Sequence, residues 1–184
     1  MPTLLFVCTG NLCRSPLMQY LLSNRAIEGL TVRSAGTWAR DGDPMHPNAL
    51  AVLAERGINA DEFRTTALNE AVLEDVDTVV GASREHRAAA VTLRPALLKK
   101  SFTLAELSRT TGLFADDEMP RDGDLPARLE GLVSVAARRR GLSLPNDPAD
   151  DDLADPLDQP VDAFEACARQ IDAYLDPVVR ALLG

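Results

Sequence analysis

The apolar and polar positions of this chain change period along its length, and the changes mark out its elements. "TLLFVC", residues 3 to 8, is an uninterrupted apolar run of strand length, the pattern of a strand buried on both faces. Pro16 suits a first helical turn, and "LMQYLLSNRAIEG" continues as an amphipathic helix to a stop at Gly29. "LTVRSAG", 30 to 36, predicts a second strand. "HPNALAVLAERG", 46 to 57, places Leu50, Leu53 and Ala54 at helical spacing and ends at Gly57. "LNEAVLEDV" predicts a short helix capped by Asn69. "DTVVGAS", 77 to 83, predicts a third strand with "REHRAAAVTL" helical behind it, and "ALLKKSFT" a fourth, before the helix "LAELSRTTG".

Alternating strands and helices predict a three-layer α/β domain in which a four-stranded parallel sheet is flanked by helices. The stretch from 115 to 155 breaks the rhythm: two acidic, proline-containing loops surround one helix, "ARLEGLVSVAARRRG", and read as an excursion on the surface. "VDAFEACARQIDAYLDPVVRALL" closes the chain as a long amphipathic helix. A length of 184 residues fits one domain spanning 1–184.

Composition narrows the function. A formal charge of −9 argues against holding nucleic acid by bulk electrostatics, although a concentrated local site can still take an anion. Cys8, Cys13 and Cys167 are an odd number and form no disulfide framework. No export signal is visible and no run approaches the ~18 apolar residues of a membrane span, so the expected location is the cytoplasm, with thiols reduced.

A strand ending at Cys8 and a helix beginning near Arg14 leave the tight loop "TGNLC" between them. In open parallel sheets ligands bind outside the carboxyl ends of strands, where this loop lies. A loop entering a helix N-terminus aims backbone N–H groups and the positive end of the dipole at one point. Gly10 relieves a crowded turn and Asn11 tolerates a left-handed backbone. Thr9, Gly10, Asn11, Leu12, Cys13, Arg14 and Ser15 thus form a nest for an anion with three outward oxygens. In it Cys8 is placed as a nucleophile, Arg14 can grip two phosphate oxygens with its planar fork, and Ser15 can donate to the sulfur. The plainer alternative, a core cysteine at a strand end, leaves the neighbouring Gly, Asn, Arg, Ser and Pro unexplained.

"VCTGNLCRSP" resembles the signature loop of the low-molecular-weight protein tyrosine phosphatases. Further matches are "SAGT" at 34 to 37, "HPNAL" at 46 to 50, "DTVVGASREHR" at 77 to 87, and the Asp-Pro pair at 155 and 156 ahead of the final helix. The resemblance implies a four-stranded parallel sheet, no metal and no cofactor, and a phosphotyrosine protein as substrate, a tyrosine kinase being a common one in the family.

A phenolate leaving group needs an acid. Proline stiffens the loop before it, which makes Asp147 and Asp155, each followed by proline, better candidates than most of the 28 acidic residues. The resemblance selects Asp155, since the family's acid sits in an Asp-Pro loop before the last helix; Asp150, Asp151 and Asp152 read as a solvated acidic loop. The expected reaction is in-line attack by Cys8 on phosphorus, protonation of the leaving group by Asp155, and hydrolysis of the cysteinyl-phosphate by water that the same carboxylate activates.

The resemblance also matches Ser34 to a serine that bonds the loop asparagine, here Asn11, while Phe63 stands where that network usually has a histidine. Cys13 matches a cysteine that can form a protective disulfide with the nucleophile, or it is a plain buried thiol. Trp38 is a candidate wall for the substrate ring, or packing. His46, His86 and Cys167 read as structural, and "ARRRG" as a solvated helix end. Three other functions stay in play. Arsenate reduction needs relay cysteines that are not found between 14 and 166. Phosphoarginine hydrolysis goes with threonine in the family where this chain has Leu12. A phosphopeptide-binding module has no use for a nucleophile.

Overall fold

The structure is a computed structural model that describes residues 1–112 and 123–183. Four strands, β1 (Thr3–Cys8), β2 (Thr31–Gly36), β3 (Thr78–Gly81) and β4 (Ser101–Thr103), form one sheet in the order β2-β1-β3-β4. All pairings are parallel, with Cys8 level with Gly36 and Val7 with Gly81. The helices are α1 (Arg14–Ser23), α2 (Pro47–Glu55), α3 (Glu70–Leu73), α4 (Arg84–Leu93), α5 (Leu104–Gly112), α6 (Leu125–Arg139) and α7 (Val161–Leu183).

The strand period of two divides the core. Leu4, Phe6, Val80 and Phe102 face a large cluster with Leu17, Leu21, Leu53, Leu132, Phe164, Ile171 and Leu175 from α1, α2, α6 and α7. Leu5, Val7 and Val79 face a smaller one with Leu73 and Ala90 from α3 and α4 and with Leu97. Burying each such side chain contributes about 1.5–3 kcal/mol, which is why a sheet with both faces covered reads as continuous apolar runs. No described helix is long and apolar enough to cross a membrane.

Several elements depart from expectation. Helix α1 stops at Ser23, not at Gly29. Ala26 turns left-handed with φ 51°, Arg25 is drawn out to Asp172 and Asp176 on α7, and Ile27 is buried. In α2 the inward stripe is Ala49, Val52 and Leu53, leaving Ala54 exposed one helical phase away. "ALLKKSFT" supplies only a three-residue edge strand, because the chain after Pro95 winds as a 3-10 helix over Pro95–Lys100. "ARRRG" is no solvated end: Arg140 lies 4.6 Å over the Phe102 ring and meets the buried Glu106 at 2.6 Å. Of the expected acidic excursion, 113–122 lies outside the described residues. Its later part is pinned rather than solvated, since Asp151 pairs with Arg109 and Asp152 with Arg84.

Candidate active site

The ends of β1, β2 and β3 meet the start of α1, and the loop between them is held chiefly through Asn11. Asn11 is left-handed with φ 54°, a conformation costing about 1–3 kcal/mol that persists only when its surroundings over-determine it. Here its Nδ2 donates to Ser15 Oγ and Ser34 Oγ, both at 2.8 Å, and its Oδ1 accepts from the Thr66 backbone N–H at 2.8 Å. Ser34 passes its own hydrogen to Gln19 Oε1 at 2.6 Å. Gln19 completes the network that in sequence lacked its histidine; Phe63 is buried beside Tyr20 with ring centroids 6.1 Å apart.

The crowded glycine is not Gly10, where an added Cβ would meet only the flexible Leu12 side chain at 3.3 Å. It is Gly36, where a Cβ would lie 2.6 Å from the Thr9 carbonyl oxygen and 2.7 Å from the Asn11 nitrogen. The N–H groups of Thr37 and Trp38 donate to the carbonyls of Cys8 and Thr9, both at 2.9 Å, so β2 runs directly beneath the loop.

Within this frame Cys8 Sγ lies 3.0 Å from Ser15 Oγ. Ser15 also has the Ala35 carbonyl at 3.2 Å, so its single hydrogen can turn to the sulfur when Cys8 is ionised. Among the described residues, no backbone N–H from Thr9 to Ser15 donates to a protein acceptor. Arg14 is buried, with Nη1 on the Leu153 carbonyl at 3.3 Å, Nη2 on Thr9 Oγ1 at 3.4 Å and on the Asp155 carboxylate, and Nε without a partner. Unpaired N–H donors and a buried guanidinium on a loop that follows a cysteine can hold a tetrahedral oxyanion and add a nucleophile to it.

Asp155 is half-exposed and reaches Arg14, while Asp147 caps the 3-10 turn Pro148–Asp151 away from the loop. The segment carrying Asp155 is fixed to the sheet: Leu153 N–H donates to the Ala82 carbonyl at 2.8 Å, and Arg84 N–H donates to Asp152 at 2.8 Å.

Cys13 and Cys167 are free, buried thiols, both pushed up to about 12, chiefly by burial. Trp38 projects its ring into solvent, 84% exposed, from a backbone tied to Thr9. His46 stacks on Phe164 at 4.7 Å and its Nδ1 accepts from Asn48 N–H. His86 is closer to the chemistry than its sequence context suggested: Nε2 is 2.9 Å from Thr9 Oγ1 and Nδ1 is 2.7 Å from Ser83 Oγ. Its lone position on a helix carried no signal for this, because the partner is 77 residues away.

A model of the family described as low molecular weight phosphotyrosine protein phosphatase matches residues 3–113. The chain is 38% identical over 114 residues to a protein-arginine-phosphatase of Geobacillus stearothermophilus, covering 61% of this chain and 76% of that protein. It is 34% identical over 107 residues to the probable low molecular weight protein-tyrosine-phosphatase EpsP of Ralstonia solanacearum, covering 58% and 73%. Its fold matches the YwlE arginine phosphatase of Geobacillus stearothermophilus with a TM-score of 0.72 at 27% identity, over 98% of this chain and 92% of that one.

Proposed function

The chain belongs to the low molecular weight phosphotyrosine protein phosphatase family, and from that premise we propose that it hydrolyses phosphotyrosine in proteins through a cysteinyl-phosphate on Cys8. The observation that carries the reading is the set of backbone N–H groups from Thr9 to Ser15 left without protein acceptors around Cys8 and the buried Arg14. Substrate phosphate takes these donors, Arg14 spans two of its oxygens, and the Cys8 thiolate attacks phosphorus opposite the leaving oxygen. Asp155 transfers its proton to the departing phenolate, then takes one from the water that attacks the phosphocysteine. Ser15 donates to the sulfur as it leaves. Asn11, Ser34 and the loop residues Gly10, Leu12 and Cys13 keep the cradle in shape.

Leu12 on the loop and the exposed Trp38 beside it support an aromatic substrate. Phosphoarginine is the second reading, favoured by the 38% identity to a protein-arginine-phosphatase. The cytoplasm, where the three thiols stay reduced, is the proposed location, and a phosphorylated tyrosine kinase is one substrate to try. Turnover on matched phosphotyrosine and phosphoarginine peptides, with Cys8→Ser as the control, tests the proposal. The expected result is a higher kcat/KM for phosphotyrosine and no turnover by the variant. A preference for phosphoarginine reverses the substrate assignment, and an active Cys8→Ser removes the mechanism.

A further inference from the structure

Ser83, His86 and Thr9 form a hydrogen-bonded line that ends at Arg14, and the reaction as described makes no use of it. Ser83 closes the N-terminus of α4, with its Oγ accepting from the His86 backbone N–H at 3.4 Å, and both residues are buried. The Ser83 hydroxyl hydrogen needs an acceptor there, and His86 Nδ1 stands 2.7 Å away. With Nδ1 accepting, the neutral ring carries its hydrogen on Nε2, which faces Thr9 Oγ1 at 2.9 Å. Thr9 Oγ1 also receives a hydrogen from Arg14 Nη2 at 3.4 Å, and a guanidinium can only donate. Both lone pairs of the threonine oxygen are then occupied, so its own hydrogen must point elsewhere. No described residue accepts it, and Thr9 is exposed on the loop whose backbone N–H groups are also without acceptors.

We propose that the Ser83–His86 pair fixes Thr9 as a side-chain donor to a phosphoryl oxygen, with Thr9 touching substrate and His86 acting behind it as a positioning residue. The proposal rests on the phosphatase reading above and deepens it. Burial and the nearby Arg14 guanidinium lower the His86 pKa and keep the ring in the neutral form that the line requires. The close approach of α4 is built in, because an added Cβ at Gly81 would lie 2.7 Å from the Ser83 carbonyl oxygen and 2.8 Å from the Arg87 nitrogen.

The test measures competitive inhibition by inorganic phosphate, and kcat/KM on an aryl phosphate, for Thr9→Val, Thr9→Ser, His86→Leu, His86→Gln and the double variant Thr9→Val/His86→Leu. A hydrogen bond to a charged oxygen predicts that Thr9→Val weakens phosphate inhibition about ten- to a hundredfold, while Thr9→Ser stays within about twofold of the parent. His86→Leu should weaken it comparably when Thr9 is present and add little in the Thr9→Val background, since the two losses are one interaction. His86→Gln, which keeps an N–H donor at that reach, should recover most of the loss. Equal phosphate inhibition of Thr9→Val and parent overturns the proposal, as does an undiminished His86→Leu effect in the double variant, which marks a purely structural histidine. Should His86→Leu fail to fold, the Thr9 pair and His86→Gln still decide. Absence of both turnover and phosphate inhibition in the parent protein removes the phosphatase reading itself and this proposal with it.

Discussion

The Arg14 guanidinium and the Asp155 carboxylate bind each other directly although 141 residues of chain separate them. One group is the proposed phosphate clamp and the other the proposed proton donor, so a bound phosphate and Asp155 compete for the same Nη2. Asp155→Ala therefore should have opposite effects on two measurements. Steady-state kcat on an aryl phosphate falls about 10²–10⁴-fold with loss of the acid, whereas inorganic phosphate inhibits more strongly because Arg14 has lost its internal partner. Weaker phosphate inhibition in the variant would show that the ion pair helps to build the cradle rather than competing for it.

Gly36 sets how close β2 can come to the loop. Gly36→Ala forces a Cβ against the Thr9 carbonyl and the Asn11 amide, neither of which is a flexible side chain. Overpacking of this kind costs about 1–3 kcal/mol and lowers Tm by about 3–10 °C in a chain of this size. Activity should fall further than stability, because the displaced atoms belong to the loop. A variant with parental Tm and kcat/KM would refute the close-approach argument.

Asn11→Ala removes three hydrogen bonds and leaves an alanine at a left-handed backbone position. Ser34→Ala removes two bonds of the same network, the one from Asn11 and the one to Gln19, and leaves the left-handed asparagine in place. Both Tm and kcat/KM should fall in the order parent, Ser34→Ala, Asn11→Ala. The reverse order would mean that the loop holds its shape without the asparagine.

Trp38 offers an exposed ring beside the loop. Trp38→Ala should raise KM for aryl phosphates by roughly 2- to 10-fold, the range of an aromatic pair, and leave KM for an alkyl phosphate unchanged. Equal effects on both substrates would assign the ring to packing instead.

Burial and then Arg14 lower the His86 pKa from its ordinary 6.5, outweighing the opposite pull of Glu85, Asp155 and Asp152. Below about pH 6.5 the unfolded chain takes up a proton that the folded protein resists, so the fold loses stability as pH falls through that range and levels off once folded His86 titrates. His86→Gln has no such proton to gain. Denaturant midpoints of parent and variant should therefore converge between about pH 7.5 and about pH 5.5. A gap that stays constant across the range excludes His86 as the titrating group.

The sequence announced those parts of the site that lie in one short stretch. Cys8, Asn11, Arg14 and Ser15 sit within one strand-loop-helix unit, where local rules of turns, caps and helix ends apply. Asp155 was within reach only through the family resemblance, because Asp43, Asp147 and Asp176 also precede a proline. Gln19, Gly36 and Thr66 went unread and His86 was read as structural, since each meets a partner brought near by the fold, up to 77 residues away in the chain. Fold legibility had the same limit. Runs buried on both faces gave β1 and β3 to within a few residues. Helix α1 ends at Ser23, just before Arg25 pairs with Asp172 and Asp176 on α7, and no pattern near residue 25 records those partners.

The hydrogen bond from Leu153 to the Ala82 carbonyl has a consequence for how this scaffold can change. Asp155 stands two residues after this clip to the rim of β3, and Asp151 and Asp152 just before it are tied to Arg109 on α5 and Arg84 on α4. With these ties kept, a change of chain length between α5 and α6 should leave the proposed acid in place.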